Sequence, residues 1–231
     1  MNDLEIMGLR LAALYTSDGE GRLLRVNEAG GAEAPRFHLG RSSEGQVLGF
    51  RADLAADLVE TLTRISLDES TGDPLPREPS NVNQYLDVLA SSSPVHCHSS
   101  GPAYRFPARI PDPPGVLRVT AENADVLSDH FEEWLEDPPD FQPFMALVVQ
   151  GKVVSVCASV RVTSDIHEAG IETHPTFWGN NYAAQVAAAW AAAVRAEGAT
   201  PVYSTSWDNT ASQAVARKLG LLLCGMDFQA T

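Results

Sequence analysis

The residues best suited to bind a ligand or to take part in chemistry lie in the stretch 170–195. There a short strand leads through a polar turn into an alanine-rich helix. The turn over 179–181 contains one glycine and two asparagines, and the helix is predicted to run over 182–196. The first N–H groups of a helix have no acceptor within it, and with the helix dipole they favour an anion such as a phosphate. The sequence therefore predicts a ligand site here, and the strand beside it carries Glu172 and His174.

A second cluster of potential ligands is formed by His96, Cys97 and His98. In a strand the two histidines would lie on one face, but no third carboxylate or thiolate is placed nearby in the sequence, as a zinc site would need. We therefore predict ordinary strand residues and no metal. Cys97, Cys157 and Cys224 are odd in number and widely spaced, which indicates reduced thiols and no disulfide framework.

The hydrophobic pattern of the first half predicts a small α+β domain. Residues 9–50 alternate apolar stretches with turn formers, which is typical of strands and hairpins. A helix is predicted over 53–69, and a second one over 82–91 is capped by Ser80 or Asn81. A linker is predicted at Pro111, Pro113, Pro114 and Gly115, and we place the domain boundary there, between 112 and 113.

The second half is predicted to alternate strands and helices around the turn. A strand leads to a helix that is capped near Thr120 or Asn123 and ended by Pro138-Pro139. A valine-rich hairpin with its turn at Gln150-Gly151 follows. A strand before the turn, the helix over 182–196, a strand, a helix over 209–219 and a last apolar strand complete the pattern. The remaining predictions are core or pocket-wall positions for Trp134, Trp190 and Trp207.

The composition is that of a globular chain. The 231 residues are 44% hydrophobic and 20% charged, and the formal net charge is -14. Without a long run of Lys or Arg, an acidic chain of this kind is not expected to bind nucleic acid. The acidity favours a cationic small molecule as substrate, or is only a solubility feature. Neither a signal peptide nor an apolar run of about 20 residues is apparent, so we expect a cytoplasmic protein that does not cross a membrane.

Three blocks of sequence resemble the GNAT superfamily of N-acetyltransferases, in particular members with a variable N-terminal domain. The blocks are GIETHP before the turn, YAAQVAAAW after it and STSWDNTASQAVARKLGL near the end. The order of predicted elements over 116–231 is also that of the family. In the family the turn carries an Arg or Gln, two residues, a Gly, one residue and a Gly or Ala. Here Trp178, Asn181 and Ala183 take the three defined positions, so only the last of them and the intervening Gly179 match.

The resemblance implies that acetyl-CoA is the cofactor and is bound mainly by backbone N–H groups of this turn. Asn181 can replace the family's Gly because Asn adopts positive φ more readily than other non-Gly residues. The alternative is a turn that has lost the cofactor, since Trp178 removes a cation. The residues implied in cofactor binding are Ile171, Thr173, Trp178, Gly179, Asn180, Asn181, Tyr182, Ala183 and Asn209. For Asn209 a plain N-cap of the last helix is an alternative that is compatible with this role.

The resemblance also implies catalytic roles. Glu172 is the candidate base, acting through a water, or else an exposed strand residue paired with a neighbour. His174 would face the same side of the strand and is a second candidate base, or else a structural residue before a proline. The family's acid, a Tyr on the last helix, corresponds to Ala216. Ser206, Ser212 or solvent would then protonate the leaving thiolate, or the thiolate would leave unassisted.

Together these features predict a protein of two domains. Residues 1–112 form a smaller α+β domain that walls the acceptor site, and residues 113–231 form a GNAT fold with a mixed, mostly antiparallel central sheet flanked by helices. The function implied is acetyl transfer from acetyl-CoA to a primary amine of a small molecule, protein or peptide by direct attack, and a homodimer is compatible with it. One alternative is a non-catalytic module that binds or senses acyl-CoA. Another is a structural interaction protein, for which no feature argues positively.

Overall fold

The computed structural model describes residues 1–28, 30–70, 72, 74–110, 113–136 and 140–231, and within them the chain divides into two units. The first unit comprises Met1–Tyr104, Ser204–Asn209 and Leu223–Thr231, and the second comprises Arg105–Tyr203 and Thr210–Leu222. The boundary predicted between 112 and 113 stays a prediction, because Pro111 and its neighbour at 112 lie outside the described residues, as do Pro138 and Pro139.

The helices are α1 (Asp3–Leu14), α2 (Ala56–Ser66), α3 (Val82–Ala90), α4 (Tyr182–Ala196) and α5 (Thr210–Leu219). The strands are β1 (Tyr15–Ser17), β2 (Leu23–Val26), β3 (Phe37–Ser42), β4 (Gly45–Phe50), β5 (His98–Arg105), β6 (Val116–Val119), β7 (Phe144–Val149), β8 (Lys152–Val162), β9 (Ile166–Thr173), β10 (Thr200–Ser204) and β11 (Leu222–Ala230). Short 3₁₀ turns lie at Ala124–Leu127, Glu132–Trp134 and Pro175–Phe177.

In the first unit the strand order is β4-β3-β11-β5, and β3 is antiparallel to both β4 and β11. Strands β1 and β2 form a separate antiparallel pair. The apolar faces of α2 and α3 cover a core that includes Phe37, Leu62, Tyr85, Leu89 and Phe228. Burial of these side chains removes apolar surface from water and holds the helices on the sheet.

In the second unit the strand order is β6-β7-β8-β9-β10. Neighbouring strands from β6 to β9 are antiparallel, and β9 and β10 are parallel. Each strand presents alternate side chains to the two faces of the sheet, so Ala158 packs with Leu127 and Phe131 on one face. On the other face Ser159 accepts a hydrogen bond from the buried Trp190 of α4. The prediction of a mixed, mostly antiparallel sheet flanked by helices is confirmed.

The alanine-rich helix α4 has the predicted bounds, 182–196. Most of its inward positions are alanines, and these small side chains allow close approach to the sheet. Trp190 is fully buried, and its Nε1–H donates to Ser159 Oγ at 3.0 Å. Ser159 Oγ lies 2.9 Å from His167 Nδ1, and burial lowers the pKa of that imidazole. This buried chain of polar atoms attaches α4 to β8 and β9.

Two predictions of secondary structure are wrong. The residues from Leu9 to Leu14 belong to helix α1 and not to a strand, and the helix starts at a capping box in which Asn2 and Glu5 bond each other's backbone N–H. The helix predicted after Asn123 is instead two 3₁₀ turns. The Asn123 side chain does not cap a helix, because it accepts from the Thr120 N–H at 2.7 Å and donates to the Arg118 carbonyl.

Smaller corrections concern the cap of α3 and the cluster at 96–98. The N-cap Asn81 makes no side-chain capping bond. The buried carboxylate of Glu69 accepts from the N–H groups of Ser80 and Asn81 at 2.8 and 3.0 Å instead. Strand β5 begins only at His98, so His96 and Cys97 are not strand residues.

Candidate active site

Strands β9 and β10 run in parallel only at their starts. Their register joins Ile166–Glu168 to Thr200–Val202. From Ala169 to Thr173, β9 pairs with β8 alone among the described strands. One edge of this part of β9 therefore keeps backbone hydrogen-bonding groups that an extended ligand can use.

A turn with two left-handed residues joins this part of β9 to α4. Gly179 has φ 82° and Asn181 has φ 66°. Asn181 is the N-cap of α4, and its side chain makes no capping bond. The Asn180 amide folds back on the turn, donating to the Phe177 carbonyl at 3.0 Å. The N–H groups at the start of α4 therefore keep their capacity to bind an anion.

The space above this turn is open, and the turn contains no cation. A Cβ added to Gly179 would meet no atom within 4 Å. The sequence has no Lys or Arg between Arg161 and Arg195. Trp178, at the family's Arg or Gln position, is 69% exposed, and its Nε1–H donates to the Thr173 carbonyl at 2.8 Å.

Glu172 lies on the face of β9 that packs against the segment 124–135. It is paired across the strands with Val156, which belongs to the core on that face. Glu172 Oε2 accepts a hydrogen bond from Trp134 Nε1 at 2.7 Å. The half-buried carboxylate is thus held in one orientation by a residue of the second 3₁₀ turn.

His174 follows β9 and contacts the same segment. Its ring stacks on His130, with the centroids 4.2 Å apart and an interplanar angle of 24°. Phe177 packs against both rings at 5.7 and 5.9 Å, and Tyr182 at the start of α4 lies 6.4 Å from Phe177. His174 Nδ1 is buried without a hydrogen-bond partner among the described residues. Glu172 and His174 thus face one side, where Trp134 and His130 contact them.

Known proteins resemble the part of the chain that forms this site. The family model described as GNAT acetyltransferase matches residues 118–223, which include β9, the turn and α4. This part of the chain is similar to the GNAT acetyltransferase family. No curated protein matches the chain significantly.

One solved structure is similar in fold over the full length of the chain, and others align with part of it. A GCN5-related N-acetyltransferase-like protein from Streptococcus suis aligns with 99% of this chain and 100% of its own, at 15% identity and a TM-score of 0.50. A GNAT-family acetyltransferase from Colwellia psychrerythraea has 13% identity and a TM-score of 0.49 over 80% of this chain and 75% of its own. A putative GNAT acetyltransferase from Novosphingobium aromaticivorans has 16% identity and a TM-score of 0.47. That alignment covers 59% of this chain and 65% of the relative.

The remaining predicted site residues lie on α5 or in the segment that precedes it. Ser212 is a half-buried residue of α5 whose carbonyl lies 3.5 Å from the Tyr203 hydroxyl. Ala216 is 2% exposed on the same helix. Ser206 and Asn209 are exposed residues of the first unit, and Asn209 directly precedes α5. The proposed roles of these side chains stay predictions.

The sequence predicted Trp134 only as a core or pocket-wall residue, and it did not single out His130 as a residue of this site. The available signal was their spacing of four residues, which places two aromatic side chains on one side of a helical segment. Their partners Glu172 and His174 could not be found from this signal, because they follow about forty residues later in the sequence. Among the described residues, no group of three or more His, Cys, Asp or Glu could hold a metal ion. No described helix has the length and hydropathy of a membrane span.

Proposed function

We propose that the protein is an acetyl-CoA-dependent N-acetyltransferase that acts on a primary amine by direct attack. The observation that carries the proposal is the adjacency of three features: the open edge of β9, the left-handed turn into α4 and the oriented carboxylate of Glu172. The first two suit an extended ligand that ends in phosphates, and the third suits proton transfer. The similarity of residues 118–223 to the GNAT acetyltransferase family supports the same reaction class.

The residues present fit coenzyme A in its phosphate region. The N–H groups of Tyr182, Ala183 and Ala184 have no acceptor within α4, and the space next to Gly179 is free. These groups would hold the pyrophosphate, and the edge of β9 near Ile171 would bind the pantetheine chain. When bound, acetyl-CoA supplies the acyl group as a reactive thioester.

The chemistry of the chain is then proton transfer and positioning. Glu172 takes a proton from the attacking amine through a water, and the Trp134 indole holds the carboxylate in place. His174 is the alternative base, held by its stack on His130. The Ala216 side chain has no acidic proton, so the coenzyme A thiolate is protonated by Ser212 or by solvent, or leaves unassisted. A thiol pKa of about 8.5 makes the thiolate a tolerable leaving group.

The net charge and the cysteines bear on the substrate and the compartment. The net charge of -14 makes a cationic amine, free or on a peptide, a better partner than a nucleic acid. The three free cysteines favour a reducing compartment such as the cytoplasm.

The function is tested by calorimetric titration of the protein with acetyl-CoA, followed by an amine panel with detection of the released thiol. Binding with amine-dependent thiol release is expected. The absence of heat and of a thermal shift at millimolar acetyl-CoA would refute the proposal.

A second candidate function is a non-catalytic acyl-CoA sensor. It is favoured by Trp178 at the position of the family's cation and by Ala216 at the position of its acid. Binding of acetyl-CoA without thiol release across the amine panel would select this alternative.

Trp134→Phe is expected to lower kcat by about 10- to 100-fold, because the loss of one oriented hydrogen bond to a charged group is worth roughly 1.5–3 kcal/mol. The Phe ring keeps the edge-to-face contacts with Phe141 and Phe144. Steady-state kinetics measures the effect, with KM for acetyl-CoA as the internal control. A fall in thermal stability with unchanged kcat would show that Trp134 is only a core residue.

A further inference from the structure

Trp178 combines high exposure with a fixed position. The residue is 69% exposed, yet its Nε1–H donates to the Thr173 carbonyl at 2.8 Å and its backbone N–H donates to the Pro175 carbonyl at 3.2 Å. No aromatic ring of the described residues stacks on the indole. The bond at the indole edge orients the ring and leaves its faces available, which is the arrangement of a stacking platform.

The position of this platform suits a nucleotide. Trp178 directly precedes the left-handed turn, and α4 begins four residues after it. A phosphate at the start of α4 is held by backbone groups that do not contact a base. The stretch 162–194 has no Lys or Arg to add affinity for the phosphates. An aromatic face beside them can supply that affinity, because every nucleobase has a flat face that stacks on an aromatic side chain.

We propose that the exposed face of Trp178 stacks on the adenine of coenzyme A and replaces the cation of the family motif as a source of cofactor affinity. The inference rests on the proposed function, because it takes coenzyme A as the ligand of the turn. Trp178 would gain affinity for the cofactor by contact with the adenine base, whereas an Arg would gain it from the charge of the phosphates. The binding should consequently depend on the adenosine part of the cofactor.

The test is calorimetric titration of three probes into wild type and Trp178→Ala. Coenzyme A and adenosine 3′,5′-bisphosphate contain the adenine, and 4′-phosphopantetheine lacks it. Trp178→Ala is expected to weaken binding of the first two by about tenfold or more and to leave 4′-phosphopantetheine unchanged. Trp178→Phe, which keeps a smaller ring without the indole N–H, is expected to lie between the two proteins.

Leu67→Ala is the matched control, because Leu67 is a 75% exposed apolar residue that follows α2 in the first unit. It should bind all three probes as wild type does, and circular dichroism should show the same fold for every variant. Equal weakening of all three probes in Trp178→Ala, or unchanged binding of coenzyme A, would overturn the stacking role and leave the proposed function standing. Failure of the wild type to bind coenzyme A would overturn both.

Discussion

Glu172→Gln is expected to lower the rate of acetyl transfer at neutral pH by about 10²–10⁴-fold, the usual contribution of a positioned general base. Gln has the size of Glu, and its carbonyl oxygen can accept the hydrogen bond from Trp134 Nε1 that the carboxylate accepts. The substitution therefore removes the proton acceptor and keeps the geometry. Initial rates of thiol release over a range of pH, with an amine identified by the panel, measure the effect.

The matched control for this prediction is Glu197→Gln. Glu197 is in the same unit, follows α4 and bonds to Arg118 at 2.8 Å with 38% of its side chain exposed. This variant should keep the wild-type rate. If Glu172→Gln leaves the pH-rate profile unchanged, Glu172 is not the base, and His174→Gln becomes the variant expected to lose activity. If neither Glu172→Gln nor His174→Gln lowers the rate, the proton is taken by solvent or by another group.

The parts of the fold that could be predicted are those whose signals are local. The bounds of α4 follow from an uninterrupted alanine-rich run after a Gly-Asn-Asn turn, and the structure has the same bounds. The hairpin between β7 and β8 follows from Gln150-Gly151, where both residues adopt positive φ as the favoured two-residue turn requires. Asn181 also adopts the positive φ that the comparison with the family motif led us to expect.

The parts that could not be predicted depend on contacts between distant segments. Residues 9–14 alternate in a way that a strand and a helix share, and the deciding signal was the capping box of Asn2 and Glu5. The segment 124–135 has helical spacing, but its apolar residues reach the core from two short turns. The stack of His130 on His174 depends on this local geometry. The spacing of residues in the sequence therefore could not predict which side chains surround the candidate base.

The first unit contains a buried charge network that joins three elements. Arg10 of α1 and His38 of β3 both face the carboxylate of Asp227 on β11. The side chains of Arg10, His38 and Asp227 are 4%, 2% and 15% exposed. The Tyr15 hydroxyl extends the network, lying 3.2 Å from His38 Nδ1 and donating to Gln229 Oε1. A buried ion pair is favourable only when its two charges are well positioned for each other. Removal of one member leaves the other charge buried, poorly solvated and without its partner.

Asp227→Asn is expected to lower the free energy of unfolding at neutral pH by about 3 kcal/mol or more, because the buried Arg10 loses its carboxylate. Asp53→Asn is the matched control, since Asp53 bonds Arg51 in the same unit but 65% of its side chain is exposed. Such an exposed pair contributes about 1 kcal/mol or less. Urea denaturation of both variants and wild type measures the difference. Equal effects of the two substitutions would show that burial of the Arg10–Asp227 pair adds nothing to stability.

The same network sets a pH dependence with a definite sign. Burial alone would raise the pKa of Asp227, but the charge of Arg10 and the hydrogen bond and charge of His38 outweigh it and lower the pKa to about 2. An unfolded Asp titrates near about 3.9, so the carboxylate adds stability that is fully present above that pH. As the pH falls from about 4 to about 2, wild type should lose about 2 kcal/mol that Asp227→Asn does not lose, because each unit of pKa shift is worth about 1.4 kcal/mol. The gap between the two proteins in urea denaturation should therefore narrow over this range, and a gap that stays constant down to pH 2 would exclude Asp227 as the titrating group.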